Sequence, residues 1–242
     1  MHEIEFIVHC WHEKYARYLA YQLSSIYLNA VEIPIRYTVV TCDEDDGATV
    51  PVVEWYARRL TNLVPNIHRQ ERTHFLSRAI GRNQRAQDAQ GRLVWFCDSD
   101  YLFGPGCLQW LAQADLPVGE RLFMPGRYWI NRNRQLGAIA AAKVNLSALC
   151  IYDWNPADFV EIPLAKAIGG LQIVRRQTAL LGYCPGDRRV QRRHGGPGLW
   201  SGGDPRFRRQ HRSWGHPLPI PNLYRLREPE SGGSGPYTPP TN

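Results

Sequence analysis

Lysine is almost missing from this chain, with three among 242 residues, so the net charge of +7 is carried by arginine. That excludes a lysine-rich tail and leaves planar, always-charged guanidinium groups as the cationic chemistry at hand. Paired cysteines are missing too. Cys10, Cys42, Cys97, Cys107, Cys150 and Cys184 are scattered with no Cys-x-x-Cys spacing, which argues against a zinc ribbon or a disulfide scaffold and for reduced thiols, with Cys10, Cys42 and Cys97 at the ends of predicted strands. No run approaches the roughly 20 apolar residues that span a bilayer, and no amino-terminal stretch has the length and basic flank of a signal peptide. The expectation is a soluble, cytoplasmic protein, with peripheral attachment to the inner face of a membrane left open. There is no internal repeat.

What is present is enough for one α/β domain. A hydrophobic content of 43% over 242 residues supplies a sizeable core. Alternating strand and helix signals in the first hundred residues predict a mixed, mostly parallel sheet flanked by helices. Residues 1–227 read as a single domain with halves at 1–103 and 104–227. From Glu228 a Pro-, Gly- and Ser-rich run predicts a disordered tail over 228–242. Later, Pro105 to Ala112 reads as a helix with proline in its first turn, residues 136–144 as an alanine-rich helix, and Leu122-Phe123-Met124, Phe159-Val160-Glu161-Ile162 and Leu171-Gln172-Ile173-Val174 as strands.

Charge is unevenly placed. Up to Gly170 there are 17 basic residues against 18 acids, and from Leu171 onward 12 arginines against 4 acids. Two clusters, Arg188-Arg189-Val190-Gln191-Arg192-Arg193 and Arg206-Phe207-Arg208-Arg209-Gln210-His211-Arg212, suit an anionic small substrate, a nucleic acid, or plain solvated charge.

The sharpest chemical signal is Gly91-Arg92-Leu93-Val94-Trp95-Phe96-Cys97-Asp98-Ser99-Asp100, an apolar strand ending in two carboxylates two residues apart. Extended spacing puts both side chains on one face, and a turn just past the strand end lets both reach one cation. Hard carboxylate oxygens suit Mg²⁺ or Mn²⁺ that keeps positions for phosphate oxygens and water. The carboxyl end of a sheet strand is also where ligand crevices of open α/β sheets lie.

Around this pair, residues 4–103 resemble the amino-terminal half of GT-A glycosyltransferases of the family-2-like group. The resemblance rests on an ordered set of segments: Ile4-Glu5-Phe6-Ile7-Val8-His9-Cys10 leading into Trp11-His12-Glu13-Lys14; a helix with Tyr18, Leu19, Leu23 and Ile26 on one side, ending in Gln22-Leu23-Ser24-Ser25-Ile26; Ile35-Arg36-Tyr37-Thr38-Val39-Val40-Thr41 before the acids Asp43 to Asp46; and Ala79-Ile80-Gly81-Arg82-Asn83 ahead of the acid pair. It implies a nucleotide-sugar site at Cys10, Trp11, Asp43, Arg82, Asp98, Ser99, Asp100 and Gly170, with Mn²⁺ or Mg²⁺ on Asp98 and Asp100. Cys10 and Trp11 would offer backbone groups to the base, Asp43 would accept from a base N–H, and Arg82 would contact the diphosphate or steady Asp98. Arg78 and Arg85, flanking Arg82 at helical spacing, fit a basic helix face.

The second half is similar in two further segments. Ala167-Ile168-Gly169-Gly170-Leu171 looks like the Gly-Gly entry to a strand beside the acceptor, where a sugar ring can approach the backbone. Leu199-Trp200-Ser201-Gly202-Gly203-Asp204 is similar to the Trp-Gly-Gly-Glu-Asp motif of galactosyltransferase-like members, which implies Asp204 as general base for an inverting transfer. Two departures stand out. Gly203 replaces an acid that commonly binds the acceptor sugar, and Arg225 stands where a metal-binding His is often found. The third metal ligand is thus unassigned, with His194, His211 and His216 as candidates, or Arg225 contacts the diphosphate directly. The expected partners are a nucleoside-diphosphate sugar, with UDP favoured, and a glycan, lipid-linked or protein acceptor. A nucleotidyltransferase is the second enzyme class, disfavoured because no glycine-rich loop follows the first strand. A non-enzymatic, arginine-rich binding module is the third reading.

Overall fold

The structure is a computed structural model and describes residues 2–29, 31–44, 47–76, 78–133, 135–183, 211 and 213–227. In chain order the elements are β1 (His2–His9), α1 (Glu13–Leu28), β2 (Ile35–Cys42), α2 (Thr49–Ala57), β3 (Leu63–Gln70), α3 (Arg72–Phe75), α4 (Arg78–Gln87), β4 (Gly91–Asp98), β5 (Tyr101–Phe103), α5 (Cys107–Gln113), β6 (Leu122–Pro125), β7 (Arg127–Asn131), α6 (Leu136–Lys143), β8 (Phe159–Pro163), β9 (Leu171–Arg175), α7 (Arg176–Ala179), β10 (His216–Leu218) and β11 (Leu223–Arg225).

Seven strands form the main sheet in the order β10-β6-β9-β4-β1-β2-β3. The pairs β1–β2, β1–β4 and β2–β3 are parallel, whereas β9 runs antiparallel to both β4 and β6. A smaller sheet, β5-β11-β7-β8, stands beside it. The central strands are buried on both faces, as the continuous apolar runs of β1, β2 and β4 require. One large apolar cluster, with Phe6, Tyr37, Trp95 and Phe103 at its centre, packs α1 and α2 on one face; a second, with Ile7, Phe96, Ala79 and Tyr183, packs α4 and α7 on the other.

Strand order reverses at β1: β2 lies on one side and β4, reached after two intervening strand–helix units, on the other. Such a switch point opens a crevice at the carboxyl ends of its strands. The register puts His9, the last residue of β1, directly beside Asp98, the last of β4. The chain then turns through Ser99 and Asp100, so the two acids curl toward the same crevice.

Helix α1 fixes that turn. Tyr18, Leu19, Leu23 and Ile26 are buried as their spacing predicts, and polar residues are buried with them. Gln22, fully buried, donates from Nε2 to the carbonyls of Asp98 (2.9 Å) and Tyr101 (3.0 Å), and its Oε1 accepts from the Tyr37 hydroxyl. Ser25 Oγ accepts from the Phe103 amide at 2.9 Å. The segment Gln22 to Ser25 is therefore a polar clamp that holds the acid turn from behind.

Two expectations need correction. Pro105 lies outside α5, which begins at Cys107 after Gly106 at φ +77°; the left-handed cap, natural for glycine, sets the helix start two residues past the proline. The expected strand Ile4 to Cys10 stops at His9, since Cys10 has left the ladder while its amide still bonds Val40 O at 3.0 Å. Among the described residues, no helix is long and apolar enough to cross a membrane.

Candidate active site

A cavity of about 640 Å³ opens at the carboxyl ends of β1 and β4. Its floor carries Asp98, Ser99, Asp100 and His9; Arg78 and Arg225 stand on its walls, and Trp11, Tyr15, Tyr18 and Phe75 form an aromatic side. The size and the mix of aromatic surface with a few convergent charges are those of a small-molecule site. Trp11 meets Phe75 edge-on, with centroids 5.6 Å apart, which leaves an indole at the mouth. His12, also lining the cavity, caps α1 at φ 76°, a conformation uncommon for a non-glycine residue.

Both acids are held by arginine. Asp98 Oδ1 accepts from Arg78 Nη1 at 2.7 Å and from Arg82 Nη2 at 3.1 Å. Asp100 Oδ2 accepts from Arg225 Nε at 2.8 Å. Arg82 is 1% exposed and also donates to Gly169 O (2.6 Å) and Tyr183 Oη (3.3 Å), so it works as a buried brace rather than as a group facing the cavity. Burial pushes the Asp98 carboxyl up, but Arg78, Arg82 and Arg225 together outweigh it and hold the group below the usual carboxylate range. For Asp100 burial dominates over Arg225, and with the neighbouring charge of Asp98 it lifts the carboxyl above that range. The two acids are thus pushed apart by their surroundings.

Sequence-predicted residues divide into those at the cavity and those behind it. Trp11, Asp98, Ser99 and Asp100 line it. Cys10 is buried beneath it, with Thr49 Oγ1 donating to its sulfur at 3.7 Å. Gly170 sits against the back of Asp98. A β-carbon there would fall 2.8 Å from Asp98 Oδ2 and 2.6 Å from Tyr101 Cε2, so the glycine makes room for the carboxylate. Asp43, its amide bonded to Gln70 O, is exposed and outside the cavity lining, and the part-buried His211 and His216 are outside it too. Asp45, Asp46, the arginine clusters at 188–193 and 206–210, His194, Asp204 and the tail 228–242 lie outside the described residues. Reading the sequence alone left Arg78 on a plain basic face; its spacing of four from Arg82, which puts both on one side of α4, was the available signal.

The donor set fits a hard divalent cation. Asp100 Oδ1 is buried and accepts no hydrogen bond, and both arginines on Asp98 use Oδ1, so one oxygen of each carboxylate is left by the guanidiniums. Oxygen ligands of this kind suit Mg²⁺ or Mn²⁺ completed by phosphate and water. Among the described residues no cluster of three His, Cys, Asp or Glu exists to supply a third protein ligand.

His9 gives the site a pH dependence. Burial, and then the charges of Arg82 and Arg78, hold its imidazole well below 6.5, so it is neutral in the native protein. Burial also lowers His68, aided by Arg85, and takes His211 down to about 4, aided by Arg121. In all three the unfolded chain binds the proton first, so stability falls as pH drops below 6.5. Asp100 has the opposite sign and offsets part of this. Melting temperature is expected to decline steadily from pH 7 to pH 5, and His9→Gln to flatten that slope; a parental curve level across this range contradicts the assignment.

The acid pair thus stands at the switch point of a mostly parallel sheet. Residues 2–119, from β1 through the acid turn and α5, match the family model described as Glycosyltransferase like family 2. No curated protein matches the sequence. Among solved structures the chain is similar to the mannosyltransferase PcManGT from Pyrobaculum calidifontis in complex with GDP-Man and Mn²⁺, at 18% identity over 95% of this chain and 58% of that one, TM-score 0.45. It is also similar to S. aureus TarS 1-349 in complex with UDP-GlcNAc, at 23% identity over 44% and 29% of the two chains, TM-score 0.37. A third similar structure is the galactosyltransferase LgtC with donor and acceptor sugar analogs, at 15% identity over 72% and 58%, TM-score 0.40. The chain thus spans less than two thirds of the length of each of these three.

Proposed function

We propose that the protein is a glycosyltransferase that moves a sugar from a nucleoside-diphosphate sugar, a UDP-sugar in the first instance, to a hydroxyl of a glycan, lipid-linked or protein acceptor. The observation that carries this reading is the convergence of Asp98, Ser99, Asp100, Arg78 and Arg225 on one cavity at the switch point of the sheet, in a chain whose residues 2–119 match the family-2-like model. The aromatic side at Trp11 and Phe75 would take the base, and the charged floor the diphosphate. Arg78, exposed to the cavity and only 2.7 Å from Asp98, would both orient that acid and donate to a phosphate oxygen.

A divalent cation held by Asp98 and Asp100 would offset the charge that grows on the departing nucleoside diphosphate. The Gln22 clamp would keep both carboxylates in place while the bond to the sugar breaks, so the site is arranged before substrate arrives. Asp204, on the strength of its Trp-Ser-Gly-Gly-Asp setting, is the residue proposed to take the acceptor proton, and a base opposite the leaving group gives inversion.

Thermal unfolding with UDP, GDP and their sugars, each with and without Mn²⁺, tests the donor site, because a ligand of the folded form raises the melting temperature. At least one nucleotide is expected to stabilise; no shift with any of them would remove the reading. Asp204→Asn is expected to keep that shift and lose sugar transfer, and a variant with parental turnover would end its role as base.

A further inference from the structure

Asp100 and Arg225 are 125 residues apart in sequence, yet backbone pairing brings them together. Strand β11 lies antiparallel to β5 with Arg225 opposite Tyr101, and the Leu226 amide donates to Asp100 O at 2.8 Å. The ion pair uses Arg225 Nε alone, one of five guanidinium donors. The group lies over the Tyr101 ring, with Cζ 5.1 Å from the centroid, and the side chain is 26% exposed on the cavity wall.

Arg225 is paired with Asp100 through Nε and lines the cavity, so a cation coming to Asp100 meets a guanidinium already there, whereas an anion meets guanidinium donors that Asp100 does not use. Resting on the reading of the cavity as a nucleoside-diphosphate site, we infer that Arg225 is a built-in cation of that site. It neutralises Asp100 in the empty protein and engages the diphosphate when nucleotide enters. Two consequences follow: nucleoside diphosphate binds without a divalent metal, and metal competes with Arg225 for Asp100.

The test is calorimetric titration of the full chain with UDP and with GDP, in EDTA and in Mn²⁺, together with titration of Mn²⁺ alone followed by electron paramagnetic resonance. The parent is expected to bind one nucleotide in EDTA within about tenfold of its affinity in Mn²⁺, as a charge-assisted arginine–phosphate contact allows. In Arg225→Gln, metal-free affinity should fall about tenfold or more while Mn²⁺ alone binds more tightly, a paired change that loss of a merely structural contact would not give. Asp100→Asn should show the reverse, with metal-free nucleotide binding kept or strengthened and Mn²⁺ binding lost. Parental binding that vanishes in EDTA but persists in Mn²⁺ overturns the inference and leaves the donor site standing, as does Arg225→Gln with unchanged affinity in EDTA. Binding in neither condition removes the donor site itself and this inference with it. If Arg225→Gln does not fold, the parental comparison and Asp100→Asn still decide the matter, since loss of metal-free binding in Asp100→Asn refutes it.

Discussion

Arg82→Met is expected to destabilise the protein by about 3–5 kcal/mol, the usual cost of removing one partner of a buried ion pair. In a chain of this size that corresponds to a melting temperature lower by roughly 6–20 °C. The reason is specific. Arg82 is 1% exposed and, among the described residues, ties together from one guanidinium Asp98 at the end of β4, Gly169 O ahead of β9, and Tyr183 Oη beyond α7. Methionine fills much of the volume but leaves the carbonyl without its donor and Asp98 with Arg78 alone. Arg82→Lys, with one ammonium in place of a fork, should recover only part of the loss. Chemical denaturation of both variants measures the effect, and a change below about 1 kcal/mol would mean that the brace is a surface-like pair of little consequence.

Gly170→Ala is expected to act on the same acid from the other side. The added carbon would sit 2.6 Å from Tyr101 Cε2 and 2.9 Å from Asp98 Cγ, so either the entry to β9 shifts or Asp98 leaves its two arginines. Overpacking of this kind costs about 1–3 kcal/mol. The larger effect should fall on the site: the nucleotide-dependent rise in melting temperature is expected to disappear while the fold persists, as judged by circular dichroism. A variant that responds to nucleotide like the parent would show that Asp98 tolerates displacement, and would separate its position from donor binding.

Much of the site's frame was legible in the sequence because it rests on local pattern. The apolar runs of β1, β2 and β4 and the helical stripe of α1 each announce themselves within a dozen residues, and the acid pair falls at the end of one such run. Strand β3 was harder to read because Pro65 interrupts it and most of its residues are exposed or only partly buried; it tolerates proline because it is the outer strand of the sheet. In the small sheet β8 was legible from Phe159 to Ile162, whereas β5, β7 and β11 have three to five residues and display no period. Which of Arg78 and Arg82 faces the ligand depends on how α4 rolls against the sheet, where Ala79, Gly81 and Ala86 are the buried contacts, and no spacing rule supplies that angle. Gly81 shows how close the fit is, since a β-carbon there would lie 2.5 Å from His9 Nε2.

The placement of β9 has a bearing on how the protein comes to be. Central strand β4 obtains its second neighbour only from residues 171–175, and Asp100 its counter-charge only from β11, so a nascent chain that has just released its first 119 residues exposes an unpaired strand edge and an unneutralised acid. Contacts that span so much sequence form late and slowly. The amino-terminal portion, cut free, should therefore aggregate rather than function as a miniature enzyme, and the two portions supplied as separate polypeptides should regain solubility only when both are present.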